Sequence, residues 1–146
     1  MSIVLLALAS GCAVDTEIGL SADVTSASAE VIADPAGDVV AVTMDVVYRT
    51  GEHTMEAREL LPQGIDVLAQ QEHVVTLIPE RPPGFMPRVS PGQSRSATFT
   101  AQSAPGAATD PRRLCGAEAL LVFRWMDRAT HELGSAEATT GPVACD

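Results

Sequence analysis

Apolar and polar residues alternate with a period of two over much of this chain, the pattern of strands half-buried in a sheet. The clearest run is Val40 to Arg49, where Val40, Val42, Met44, Val46 and Tyr48 fall on one face and Ala41, Thr43, Asp45, Val47 and Arg49 on the other. Val24 to Ala33 alternates weakly, with Val24, Ala27, Val31 and Ile32 as its apolar content. Asp34-Pro35-Ala36-Gly37-Asp38 is turn chemistry that makes a hairpin of these two runs. Thr50-Gly51-Glu52-His53 predicts a second turn, after which Thr54 to Leu61 is a strand or one capped helical turn, with strand preferred. Pro62-Gln63-Gly64 is expected to end that segment.

Ile65 to Ala69 and His73 to Ile78 are short Val- and Ile-rich strand candidates, and Pro79 to Pro91, with five prolines, predicts a surface loop. In Arg95 to Ala101, Ala97, Phe99 and Ala101 face inward. Ala104 to Arg113 is a Gly, Ala and Pro loop. Ala117 to Met126 is apolar on both faces, as expected at the centre of a sandwich, and Leu133 to Thr140 returns beside it. Pro142, which has no N–H to donate, is tolerated only on an edge strand or beyond its end. Short strands at intervals of about ten residues, separated by turn chemistry, predict an all-β sandwich of seven or eight strands. A small β-barrel is the alternative.

The piece Ser90-Pro91-Gly92-Gln93-Ser94, followed by the alternating Thr/Phe strand, resembles the corresponding part of bacterial immunoglobulin-like modules. The resemblance extends over Val24 to Cys145 and implies an immunoglobulin-like antiparallel β-sandwich. It departs from the antibody pattern, in which the paired cysteines join opposite sheets around a tryptophan on another strand. Here Cys115 and Cys145 flank one terminal hairpin and Trp125 lies within it.

Aromatics make up only 3% of the 146 residues against 46% hydrophobic, so the core is built mainly from Val, Leu, Ile and Ala. The formal charge of −10, with nine arginines and no lysine, excludes phosphate backbones and anionic membrane surfaces as partners, and nucleic acid with them.

Ser2 to Ala9 is an uncharged apolar run ending in Ser10, Gly11 and Cys12. It is too short to span a bilayer and has the proportions of a signal-peptide core followed by small residues at a cleavage site. Leu8-Ala9-Ser10-Gly11-Cys12 resembles the lipobox of bacterial lipoproteins, with Ala9 at the position where Leu is usual. The resemblance implies that Cys12 is lipidated and, after cleavage, becomes the first residue of the mature chain. Three acyl chains, palmitate among them, would hold the protein durably at a membrane. Ala13 directly after Cys12 implies sorting to the outer membrane. The alternative is a buried amino-terminal strand, Ile3 to Leu8, with Cys12 an ordinary core thiol. The expected organisation is a signal peptide over 1–11, a lipidated tether over 12–22 and a sandwich domain over 23–146.

Of the remaining cysteines, Cys115 and Cys145 are expected to pair in an oxidising compartment. Their midpoint falls at Thr130, within Asp127 to Glu132, the polar break between two strand segments. A hairpin folded there would put the two cysteines opposite each other on adjacent strands. A two-ligand metal site is the competitor, although His131 would lie at the far end of that hairpin.

No constellation for catalysis or cofactor binding emerges. His53, His73 and His131 are scattered without metal-ligand spacing and read as surface residues. Glu56 and Arg58 read as a surface pair. Tyr48, Phe99, Phe123 and Trp125 read as core. Phe85 and Met86, held among prolines in the loop, are the candidate contacts for a partner protein; the alternative is that Phe85 tucks over the end of the sandwich and packs on the domain. These features describe a non-enzymatic cell-envelope lipoprotein without cofactors or metal, lipid-anchored at its amino terminus with its sandwich facing the periplasm or the cell surface. The sandwich would serve protein association or structural support. A carrier of a glycan or metal ion is the alternative, and an enzyme the third class.

Overall fold

The computed structural model describes residues 19–146; Cys12 and the signal and anchoring calls on residues 1–18 lie outside them. The described chain forms two packed β-sheets. Seven strands are long: β1 (Leu20–Ile32), β2 (Val39–Thr50), β3 (Arg58–Ala69), β4 (Glu72–Leu77), β6 (Ser94–Gln102), β7 (Glu118–Asp127) and β8 (Leu133–Pro142). Two have only two residues, β5 (Arg88–Val89) and β9 (Ala144–Cys145). One sheet runs β6-β2-β1-β9 and the other β4-β3-β7-β8, with β5 added to β3. β1 opens with Leu20 opposite Thr50 at the end of β2.

β2 carries the alternation as written, since Val40, Val42, Met44, Val46 and Tyr48 are all buried. The weak alternation of β1 has a physical cause in a bulge between Val24 and Ser26 that shifts the register by one residue. Inward positions are therefore even-numbered before it (Ala22, Val24) and odd-numbered after it (Ala27, Ala29, Val31), so no single period fits the strand. The same device corrects the expectation for β3. Pro62-Gln63-Gly64 does not end a strand; a bulge between Pro62 and Gly64 carries the chain through, with Leu60 inward before it and Ile65, Val67 and Ala69 after it. β3 and β4 are joined by Gln70 and Gln71, both at positive φ (50° and 69°), as a two-residue hairpin demands.

Cys115 and Cys145 form a disulfide with Cα atoms 5.6 Å apart. Its setting differs from the expected hairpin pair. The chain leaves β8 at Pro142, and β9 crosses to the other sheet, where Ala144 and Cys145 pair in parallel with Glu30 and Val31 of β1. Cys115 follows a 3-10 turn, Pro111–Leu114, and bridges in parallel to Val143. The bond therefore ties the entry to β7 to a strand of the opposite sheet, and buried Leu114 seats the turn beneath it. Arg112 reinforces the corner, pairing with Asp38 (2.9 Å) and donating to the Asp146 carbonyl (2.9 Å).

Arg58 also departs from expectation, because its partner is Asp127 on the neighbouring strand (3.2 Å) and not Glu56. Asp127 is nearly fully buried, and its second oxygen accepts from the Ala129 N–H (2.9 Å), so it sets the β7–β8 turn as well.

Breaking the disulfide by Cys115→Ser with Cys145→Ser should cost about 3.5 kcal/mol, the loop-closure value for a 30-residue separation. Urea melts of the double variant against the oxidised protein measure it. Free thiols at both positions in protein taken from its native compartment would refute the bond.

Candidate functional site

Loop 78–87 crosses from β4, in one sheet, past the open side of the sandwich. At its start the Glu80 N–H donates to the Thr100 carbonyl of β6 (2.8 Å), and at its end the Pro87 carbonyl accepts from the Leu60 N–H of β3 (3.0 Å). The loop is thus a strap fastened to both sheets. Its prolines hold it extended, so little entropy opposes that course.

Phe85 points inward from the strap. Its ring lies 5.9 Å from Tyr48 and 5.3 Å from Phe99, which itself stacks on Phe123 at 5.4 Å. The Tyr48 hydroxyl donates to the Met86 carbonyl at 2.6 Å, and burial pushes that phenol up from its ordinary value, against the opposing charge of Arg95. Phe85 is partly buried and packs against the core between Tyr48 and Phe99, a place that an aromatic-poor core leaves for it. Met86 remains exposed (54%), its sulfur taking a hydrogen bond from Arg95 Nη1 at 3.4 Å.

Between the strap and β6 lies a groove of about 440 Å³, lined by Pro82 to Met86 on one wall and Ser94 to Thr98 on the other, with Tyr48 at its base. The β6 wall is a sheet edge. The Gln93 carbonyl and the Ser103 N–H bond to β2, whereas the Thr100 carbonyl turns outward to Glu80. By the period of two, Ser94, Ser96 and Thr98 turn their backbone groups outward as well. Among the described residues no strand pairs with that stretch. β6 carries no proline and no bulge; its one charged residue is Arg95, and the strap pairs with it only at Thr100.

The charges around this groove are distinctive. Six arginines are spent on carboxylates of the fold: Arg49 on Asp23, Arg58 on Asp127, Arg112 on Asp38, Arg113 on Glu72 and Asp110, Arg124 on Asp66 and Arg128 on Glu59. Arg81, Arg88 and Arg95 have no such carboxylate partner among the described residues. Arg81 lies over the Phe85 ring at 5.5 Å, and Arg95 Nε donates to the Arg88 carbonyl at 2.8 Å.

A second polar cluster sits on the outer face of the other sheet. Thr76 donates to Asp66 (2.6 Å), Arg124 Nε donates to the same carboxylate (2.8 Å), and His73 Nε2 lies 2.8 Å from the Thr76 hydroxyl. Gly64 makes room for it, since a Cβ there would lie 2.7 Å from the Arg124 guanidinium. The Thr76 proton is committed to Asp66, so the hydroxyl can only accept from His73. That is the reverse of what a base-activated nucleophile needs. Burial pushes the Asp66 carboxyl up, but Thr76, Arg124 and the charge of His73 together hold it below the usual carboxylate range. The cluster is a cross-strand brace.

A depression of about 480 Å³ beside Trp125 offers little to a sugar. The indole is 7% exposed and lies over Gly134, where a Cβ would come within 2.1 Å of the ring. His53, His73 and His131 are all exposed, and no group of three metal-ligating side chains gathers among the described residues.

Two outcomes follow from these contacts. Phe85→Ala should lower stability by about 2 to 4 kcal/mol, while Met86→Ala changes it by under about 0.5 kcal/mol, as thermal melts would read. Because Asp66 has a folded value below its unfolded one, its contribution is fully present above the ordinary carboxylate pKa and is lost as pH falls through the folded value. The stability advantage of the wild type over Asp66→Asn should therefore be present at about pH 6 and shrink below about pH 4 in urea melts.

Comparison with known proteins adds little. No protein-family model matches the chain, and no curated protein matches it. Among solved structures, one described as the X-ray structure of Northeast Structural Genomics Consortium target SoR45 aligns with a TM-score of 0.47 at 11% identity, over 88% of this chain and 89% of that one.

Proposed function

We propose that this chain is an exported lipoprotein of the bacterial cell envelope, acylated on Cys12, whose immunoglobulin-like sandwich works by associating with another protein and not by catalysis. The observation that carries the association role is the unpaired Ser94–Thr98 stretch of the β6 edge beside the strap groove. An open, straight edge invites aggregation unless it has a use, and natural sheets normally blunt or cover it. Export is supported by the Cys115–Cys145 disulfide, since such bonds persist in oxidising compartments. The finer fold assignment is supported by strand order, with the first, second and sixth strands in one sheet and the third, fourth, seventh and eighth in the other.

The anchor gives the domain a direction. Gly19 is fastened to the β2–β3 loop, its N–H donating to Thr54 Oγ1 (2.9 Å) and its carbonyl accepting from the Gly51 N–H (3.3 Å). Six residues separate Cys12 from Gly19, a reach of at most about 25 Å when extended. The end of the sandwich bearing that loop would then face the membrane, and Ala13 after the anchor favours the outer membrane.

Growth with a labelled fatty acid tests the anchor. The wild type should take up label and sediment with membranes, and Cys12→Ser should do neither. Equal labelling of the two forms would remove the lipoprotein assignment.

A further inference from the structure

In a protein of formal charge −10, positive charge is scarce, and its distribution carries information. The three arginines that the fold leaves without carboxylates all belong to the strap and the strands beside it: Arg81 within the strap, Arg88 where it ends in β5, and Arg95 on β6. Arg95 lines the groove itself. The nearest strap acid, Glu80, sits at the far end of the groove, with its carboxylate close to the Thr100 hydroxyl (3.4 Å) and its backbone bonded to the same residue. Asp45 accepts from the Thr98 hydroxyl (2.5 Å) and Glu59 stands opposite Arg88, so the groove's positive charge is concentrated at its Ser94–Ser96 end, where Arg95 lines it.

We propose that the groove between the strap and the outer edge of β6 binds an extended acidic peptide segment of a partner protein, which adds to β6 as a strand and sets a carboxylate against Arg95. The backbone of Ser94, Ser96 and Thr98 supplies the pairing. Glu80 already fills the rung at Thr100, so the added strand occupies the stretch from Ser94 to Thr98. Along such a strand every second side chain points the same way, which favours a partner sequence that alternates acidic and β-branched residues. Arg81, over the Phe85 ring of the strap, adds a second positive charge, which favours acidic over basic segments. The strap is held by prolines and by Phe85, so the far wall is formed before the peptide arrives and costs little ordering.

The proposal names the partner's chemistry for the association role above and rests on it. The test uses the full chain carrying Cys12→Ser, which cannot be acylated, so a failure here is separate from a failure of the labelling experiment. Fluorescence anisotropy is followed for a dye-labelled Glu-Val-Glu-Val-Glu-Val peptide, for its Lys-Val-Lys-Val-Lys-Val counterpart, and for the acidic peptide N-methylated at alternate backbone nitrogens. The acidic peptide should bind saturably, at least about tenfold tighter than the basic one, and Arg95→Gln should weaken it by about tenfold without lowering the melting temperature. N-methylation on the pairing edge should abolish binding while leaving the protein untouched. Absence of binding, equal affinity for the two charge types, or full affinity of the N-methylated peptide would each overturn the proposal. Self-association abolished by Arg95→Gln would overturn it too, by making the occupant a second copy of this chain.

Discussion

The packing of Phe85 between Tyr48 and Phe99 is the contact on which the open side of this sandwich depends. The chain has five aromatic residues, and four of them, Tyr48, Phe85, Phe99 and Phe123, form one continuous row. That row begins on β2, passes through the strap, returns to β6 and ends on β7 of the opposite sheet. A core otherwise made of Val, Leu, Ile and Ala has few groups large enough to span two sheets, so the row does most of the bridging on this side. On the other side, small residues take over. Ala27 and Ala29 of β1 and Gly134, Ala136 and Ala138 of β8 let those strands approach closely, and β9 with its disulfide closes the corner.

This division of labour leaves the groove where it is. The strap must stand off from β6 far enough for Phe85 to turn inward, and after Glu80 it no longer pairs with the edge it passes. The gap is thus a consequence of how the aromatic row is completed. The arginines follow the same economy. With no lysine in the chain, ion pairs that brace strands and corners consume six of the nine cations, and the strap region holds the remainder.

Much of this was legible in the residues, and the gaps have identifiable causes. β2 and β6 read cleanly because each keeps one phase from end to end, and β7 because it is apolar on both faces. β1 and β3 did not, because a bulge in each reverses which parity faces inward, and periodicity averaged across a bulge looks like noise. Pro62 and Gly64 looked like a strand end for the same reason, since a bulge tolerates the residues that a turn requires. The cysteine pairing was visible from spacing, but its geometry was not, because Pro142 signalled that β8 stops without saying that the chain then joins the other sheet. Phe85 was conspicuous among prolines as a hydrophobe in a polar loop. Whether such a residue faces out to a partner or in to a core depends on a vacancy between Tyr48 and Phe99 that only the folded arrangement defines. The groove had no local signature at all, being formed by backbone edges and by arginines whose lack of partners is a property of the whole charge distribution.

The central claim is that the outer edge of β6 stands open in the native protein while its inner edge is fully paired. Native-state amide hydrogen exchange, resolved residue by residue, measures this directly. Ala97 and Phe99, whose N–H groups face β2, should exchange slowly, while Ser96 and Thr98, two of the outward-facing amides, should exchange close to the rate of unstructured peptide. Protection of Ser96 and Thr98 equal to that of Ala97 and Phe99 would show the edge to be covered and would contradict the account.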